Sequence, residues 1–181
     1  MGIFEWKECI RRAREEKDGI FKMHFQSPLP FNERQSFKGL TYYPPDLDYR
    51  FELRLKEPKG REILEIEDTQ GNDRAFLRWG EFEFTINDTD CTLQTYKSSP
   101  EEERLFVSFR DVTSGKETYG AGRSLDLESK RLRTSERKWI LDFNVAYNPW
   151  CTFSKDYACP FVPSENWLKV PIYAGKKDYK K

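Results

Sequence analysis

From Tyr49 onward, apolar and polar residues alternate at every second position. Tyr49, Phe51, Leu53 and Leu55 are separated by Arg50, Glu52 and Arg54. Strand side chains point alternately to two faces, so this period predicts a half-buried β-strand rather than a helix. The pattern then recurs along the chain. "EPKG" turns it before "EILEIED", and "TQGN" turns it again before "RAFLRW". Phe82, Phe84 and Ile86 alternate with Glu81, Glu83 and Thr85 up to a turn at Asn87-Asp88, and "CTLQTY" and "RLFVSFR" continue the series. Short alternating runs with turn signals every ~8–12 residues predict an antiparallel sandwich or barrel. Connections this short close hairpins and cannot make parallel crossovers.

Ahead of the strands the period is helical. Ile3, Trp6, Ile10 and Ala13 recur with Lys, Arg and Glu between them. This predicts an amphipathic helix ending near Asp18-Gly19, with the glycine as a left-handed cap. "SPLP" places Pro28 and Pro30 in an extended segment. "NERQ" (Asn32–Gln35) has the form of a capping box for one short helical turn before Gly39. The expected fold is a single all-β domain, mainly an antiparallel barrel or sandwich, with an N-terminal α-helix. Residues 1–45 form the helix and a proline-rich arm, and residues 46–181 form the β domain.

One later segment, "KWILDFNVAYNP", is expected to be a strand with two unlike faces. Trp139, Leu141, Phe143, Val145 and Tyr147 share one, and Ile140, Asp142, Asn144, Ala146 and Asn148 share the other. The polar face is either a wet side or the wall of a polar pocket. Regularity then stops over residues 148–167, where Pro149, Pro160 and Pro163 stand among aromatics and two cysteines. An ordered loop of this length is a functional rim or a strap over the end of the β structure. "WLKVPIYAG" predicts a last strand, demoted to an edge by Pro171.

Composition narrows the class. A chain of 181 residues supports one sizeable core. Aromatics make up 15%, which argues against disorder because each supplies a large buried area. Acidic and basic residues cancel at 31 each, without the positive excess of a nucleic-acid-binding domain. The basic stretches at 130–138 and in the final "KKDYKK" read as a solvated loop and tail. No apolar run approaches the ~20 residues of a membrane span, and the charged N-terminus is unlike a secretory signal. The expectation is a cytoplasmic protein with neither nucleic acid nor membrane as partner. Scarce glutamine beside plentiful Glu, Lys and Arg is compatible with a thermophilic source.

Candidate chemistry concentrates in "FRDVTSGKETYGAGRSLDLE", residues Phe109 to Glu128. Its G-x-G lacks the third glycine and the following helix of a dinucleotide loop, so these glycines predict a bulge or a close backbone approach. The only histidine, His24, reads as a surface or packed residue rather than the base of a Cys–His pair with Cys9 or Cys151. No C-x2–4-C spacing announces a metal site, and no metal is expected. Cys151 and Cys159 are compatible with a disulfide-clipped loop or with reduced structural thiols. Asp111, Asp126 and Asp142, with Glu117, have the makings of an acid–base pair. Arg110 and Arg123 suit a carboxylate or phosphate clamp. The same groups equally suit internal Arg–Asp bridges.

These letters, followed by "LDFNVAYNPWCTFSKDYACPFVPSENWLKVPI", resemble the signature half of a bacterial and archaeal family, domain of unknown function sixteen-eighty-four. "SPLP", "FKGLTYYPPD" and "RWGEFEF" extend the likeness over nearly the whole chain. The resemblance singles out Arg110, Asp111, Thr113, Tyr119, Arg123, Asp126, Asp142, Asn144, Tyr147, Asn148, Cys151, Cys159 and Asn166. Ser124 stands where the family has tyrosine, and Phe153 where it has a second one, so neither is a catalytic candidate. The likeness implies a shared site and brings no activity or cofactor.

The expected site is a polar pocket lined by Arg110, Asp111, Thr113, Tyr119, Arg123, Asp126, Asp142, Asn144, Tyr147 and Asn148. The leading function is small-molecule binding. The alternatives are a hydrolase-like enzyme with Asp111 or Asp142 as general base and Arg123 as stabiliser, and a structural module with a buried Arg–Asp–Asn network whose outer surface binds a protein.

Overall fold

In the computed structural model the described residues are 2–129, 134 and 136–179, so the basic stretch at 130–138 lies largely outside them, as do the last two lysines of the tail. The N-terminal helix α1 spans Ile3–Met23, about one turn beyond its expected end. Gly19 is an ordinary helical residue, and the last turn closes with the His24 N–H on the Ile20 carbonyl at 3.0 Å. Packing explains the extension. Phe21 is buried against Phe37 and Phe153, with ring centroids 6.1 and 4.8 Å away. Burying a phenylalanine outweighs the ~1 kcal/mol cost of a glycine inside a helix. A second, single-turn helix α2 covers Phe31–Arg34 behind Pro30.

The strands are β1 (Arg50–Leu53), β2 (Glu62–Glu67), β3 (Asp73–Ile86), β4 (Thr89–Lys97), β5 (Arg104–Phe109), β6 (Arg123–Glu128) and β7 (Trp139–Asp142). β2 to β6 form an antiparallel meander in chain order, and β1 pairs antiparallel with β7 in a separate two-stranded sheet. The sheet does not close into a barrel, and the arrangement is sandwich-like. Gly80 marks the crossing between the two sheets. The β3–β4 register shifts between Arg78 and Gly80, and Lys56, just past β1, exchanges backbone bonds of 3.0 and 2.9 Å with Glu81. A side chain at Gly80 would begin 2.7 Å from the Lys56 carbonyl oxygen, so only glycine admits the crossing strand.

Alternation decides the core. Phe82, Phe84, Leu93, Leu105, Val107, Leu125 and Leu127 project from the inner face of the meander. They meet Leu141 and Phe143 from the β7 segment, and Leu168, Val170, Ile172 and Ala174 from the C-terminal segment. That last segment keeps the expected period of two but is not a strand. Pro171 has no N–H, and the backbone bonds go to scattered partners: Leu168 N–H to Arg110, Val112 N–H to Val170 and Lys176 N–H to Ala146. The other expected long strand is also shorter. β7 stops at Asp142 because its carboxylate accepts the Asn144 N–H at 2.9 Å, turning Phe143–Val145 into a 3-10 turn. The turn reverses the predicted faces, burying Asn144 at 1% exposure and leaving Val145 at 41%. Among the described residues no helix is long and apolar enough to cross a membrane.

Candidate functional site

The side of the sheet that faces away from the core carries a cleft of about 710 Å³. Its position follows from strand parity. Leu105, Val107, Leu125 and Leu127 point inward, so Arg104, Phe106, Ser108, Ser124 and Asp126 point outward and form the floor. The antiparallel register sets Phe106 opposite Asp126 and Ser108 opposite Ser124. Tyr147 extends the floor beyond β6, exchanging backbone bonds of 2.9 and 3.0 Å with Ser124. One wall is α1, through Ala13, Glu16, Lys17, Ile20 and Phe21. The rim is the loop from Pro149 to Val162, which carries Trp150 and Tyr157 in edge-to-face contact at 5.0 Å.

Gly122 lies at one end of the floor with a φ of +104°. A Cβ there would meet the Phe109 carbonyl at 2.6 Å and Val162 at 2.7 Å, so the loop rim packs directly on backbone. The expected close approach at the G-x-G is this one.

Within the cleft, the Tyr147 hydroxyl donates to Asp126 at 2.8 Å, and Arg104 donates to the other oxygen of the same carboxylate at 3.1 Å. Burial and the adjacent Asp126 carboxylate hold the Tyr147 phenol well above its ordinary range. The Lys17 ammonium stands 4.6 Å from the centre of the Tyr147 ring. Burial lowers the pKa of Lys17 against the opposing pull of Asp126. Cys151 and Cys159, both free and half-buried, line the rim. The Cys151 N–H donates to the Cys159 sulfur at 3.4 Å, and the Tyr119 hydroxyl lies 4.0 Å from the Cys151 sulfur. Burial and the Cys151 thiol push Tyr119 up to about 12. The structure therefore has two facing thiols where the sequence left a disulfide open.

The expected pocket residues divide into separate places. Asp126 and Tyr147 line the cleft, and Tyr119 reaches its rim through Cys151. Arg123 shares the parity of Leu125 and Leu127 and points into the protein, fully buried. Its guanidinium donates to Asp111 at 2.7 Å and to the carbonyls of Ile172, Ala174 and Lys176. Asp111 in turn accepts from the Thr113 N–H at 2.6 Å, and the Thr113 hydroxyl lies 2.9 Å from Thr118. This network ties β6 to the C-terminal segment. Arg110 stacks over Trp167 at 4.5 Å, away from the cleft.

Asp142 and Asn144 serve a different junction. Asp142 accepts from the Trp6 indole and from the Asn144 side chain, each at 2.9 Å. Asn144 then donates to the Asp46 carbonyl at 2.7 Å and accepts from the Asp46 N–H at 2.9 Å. The pair clamps α1 and the arm onto β7. The Asn148 amide reaches the Lys177 carbonyl at 3.0 Å, holding the tail.

Sequence reasoning missed Lys17, Phe106, Ser108, Trp150 and the α1 wall. Parity applied to "RLFVSF" and "RSLDLE" as a hairpin would have found the floor, since the core-facing set fixes the opposite set. Of the wall, Ala13, Glu16 and Lys17 lie within the expected helix, while Ile20 and Phe21 lie in the last turn of α1, which the glycine cap reading removed. Among the described residues no group of three or more His, Cys, Asp or Glu side chains is placed to hold a metal ion.

Residues 35–177 match the family described as Protein of unknown function (DUF1684). No curated protein matches the chain. Among solved structures, the solution NMR structure of an uncharacterized protein of Haloarcula marismortui is 34% identical, with a TM-score of 0.74. The match covers 98% of this chain and 97% of that one.

Proposed function

We propose a function for this chain, which belongs to the DUF1684 family: it is a binding module for a small, partly apolar molecule held in the cleft between α1, the β5–β6 face and the loop rim. The observation that carries this reading is the cleft itself. At about 710 Å³ it lies within the ~300–1,000 Å³ usual for small-molecule sites. Its composition also supports the reading. Ile20, Phe21, Phe106, Trp150, Phe161 and Val162 supply apolar surface, while Asp126, Tyr147, Ser124 and Lys17 supply a few converging polar groups. The Tyr147–Asp126 bond fixes one donor–acceptor pair, so a ligand meets an orientation already set. The ligand sits over Tyr147 and beside Lys17, with its apolar body against Phe106 and the rim.

The reading is tested with an apolar fluorescent sulfonate dye and a metabolite panel, using dye emission and thermal stabilisation as readouts. Ile20 is 50% exposed on the cleft wall, so Ile20→Asp perturbs the cleft without opening the core. The expected result is saturable binding to the wild type that weakens about tenfold in Ile20→Asp, the equivalent of ~1.4 kcal/mol of lost apolar contact. Equal binding by both proteins removes the cleft as the site.

A further inference from the structure

We propose that Cys151 and Cys159 form a thiol–disulfide exchange site at the mouth of the cleft, reacting with small disulfides and closing to an intramolecular disulfide. This goes beyond ligand binding and does not depend on it. The two thiols are separated by seven intervening residues, and each is held by a different element. Cys159 lies in an extended segment stitched to the β2–β3 hairpin. Its N–H donates to the Thr69 hydroxyl at 3.1 Å, and its carbonyl accepts the Thr69 N–H at 3.0 Å. Cys151 stands in the 3-10 turn Trp150–Thr152 and presents both its N–H, at 3.4 Å, and its thiol to the Cys159 sulfur.

These donors converge on one sulfur. With the nearby Arg74 charge they place the pair's first negative charge on Cys159, bringing it down to about 7. The bond that Cys151 makes to Cys159, together with burial, holds Cys151 well above the ordinary thiol range. The two titrate as a pair, one proton at a time. Tyr119 stands beside Cys151, and Tyr147 is the other titratable group facing Cys159 from the cleft. Such a division suits exchange: one sulfur is a thiolate near neutral pH, and the other waits as a thiol beside it. The remaining cysteines differ, with Cys9 exposed on α1 and Cys91 buried in the core.

The balance of the reaction is complete with a small disulfide, RSSR, as oxidant. The Cys159 thiolate attacks one sulfur and displaces RS⁻, leaving a mixed disulfide on Cys159. The departing RS⁻ takes the proton of Cys151. The resulting Cys151 thiolate attacks the Cys159 sulfur and displaces the second RS⁻, which is protonated from solvent. Two protein thiols are oxidised and RSSR is reduced to two RSH.

The experiment treats the reduced full chain with oxidised glutathione near pH 7 and follows intact and peptide masses. The expected wild-type product has lost two hydrogens, with Cys151 and Cys159 in one linked peptide. It forms several-fold faster than any adduct on Cys9, as expected for a half-ionised thiol even after its lower intrinsic nucleophilicity. Cys151→Ser is expected to stop at a single glutathionyl group on Cys159. The wild-type rate should also rise with pH through about 7, following Cys159, a readout that needs no variant. First modification at Cys9 with the pair left reduced overturns the proposal. So does a wild-type mixed disulfide on Cys159 that never resolves. Dye binding to the reduced protein reports the cleft separately, so failure of either idea is visible without the other.

Discussion

Arg123 illustrates how one residue is settled by the side of a strand on which it stands. It and Asp111 form an ion pair whose side chains are both 0% exposed, and burial lowers the arginine's pKa although the Asp111 carboxylate opposes the shift. Three backbone carbonyls share the guanidinium, so it replaces strand partners that the C-terminal segment lacks. Removing one member of such a pair leaves the other buried and uncompensated. Arg123→Met is expected to cost ~3–5 kcal/mol in urea denaturation, whereas replacing Arg123 and Asp111 together with apolar residues should recover part of that loss. A loss below ~1 kcal/mol for Arg123→Met would refute the structural role. The residue types at this position were legible as an Arg–Asp pair. Their inward direction was legible too, because Arg123 shares the parity of Leu125 and Leu127, yet a charged residue invites placement at a mouth rather than in a core.

At the scale of elements, β4 and β5 pair only at Tyr96 and Phe106, and a side chain fills the gap between them. The Asn166 amide donates to the carbonyls of Gln94 and Ser108, at 3.0 and 2.8 Å, and accepts the Gln94 N–H at 2.8 Å. It acts as a peptide unit borrowed from the 3-10 turn Ser164–Asn166. Asn166→Ala should cost ~2–4 kcal/mol, since three bonds vanish and buried backbone groups lose their partners. Hydrogen exchange should show the loss concentrated at Gln94. The hairpins were readable because alternation and turn residues are local signals. The ends of α1 and β7 were not. Phe21 carries α1 past Gly19 by packing on residues of the arm and rim, and Asp142 ends β7 by capping a turn.

For the whole molecule, the arm, α1 and the rim form a second apolar cluster of Phe21, Leu29, Phe37, Leu40 and Phe153, apart from the main core. Lys176 is sealed beside it at 1% exposure, with its ammonium 4.6 and 4.3 Å from the Phe21 and Phe153 rings and without a hydrogen-bond partner among the described residues. The rings favour the charged form, but they do not replace the lost water. Burial, aided by nearby Lys17, brings Lys176 down to about 6. Its unfolded value is ~10.4, so between the two the unfolded chain binds the extra proton. Stability should therefore rise with pH from about 6 toward ~10, by up to ~1.4 kcal/mol per unit, with the full penalty present below 6. Lys176→Met should flatten that slope and stabilise the protein at pH 7 in thermal melts across this range. An unchanged slope would remove Lys176 as its source. By itself the sequence determined the antiparallel strands, the N-terminal helix and the family likeness, because periods, turns and motifs are written in adjacent residues. Only the tertiary structure decided that Asp142 and Asn144 are internal clamps while Lys17, Asp126, Tyr147 and the two thiols share a cleft. That choice depends on which faces of α1, β5–β6 and the rim meet, and it includes contacts such as Trp6 with Asp142 and Lys17 with Tyr147, more than a hundred positions apart.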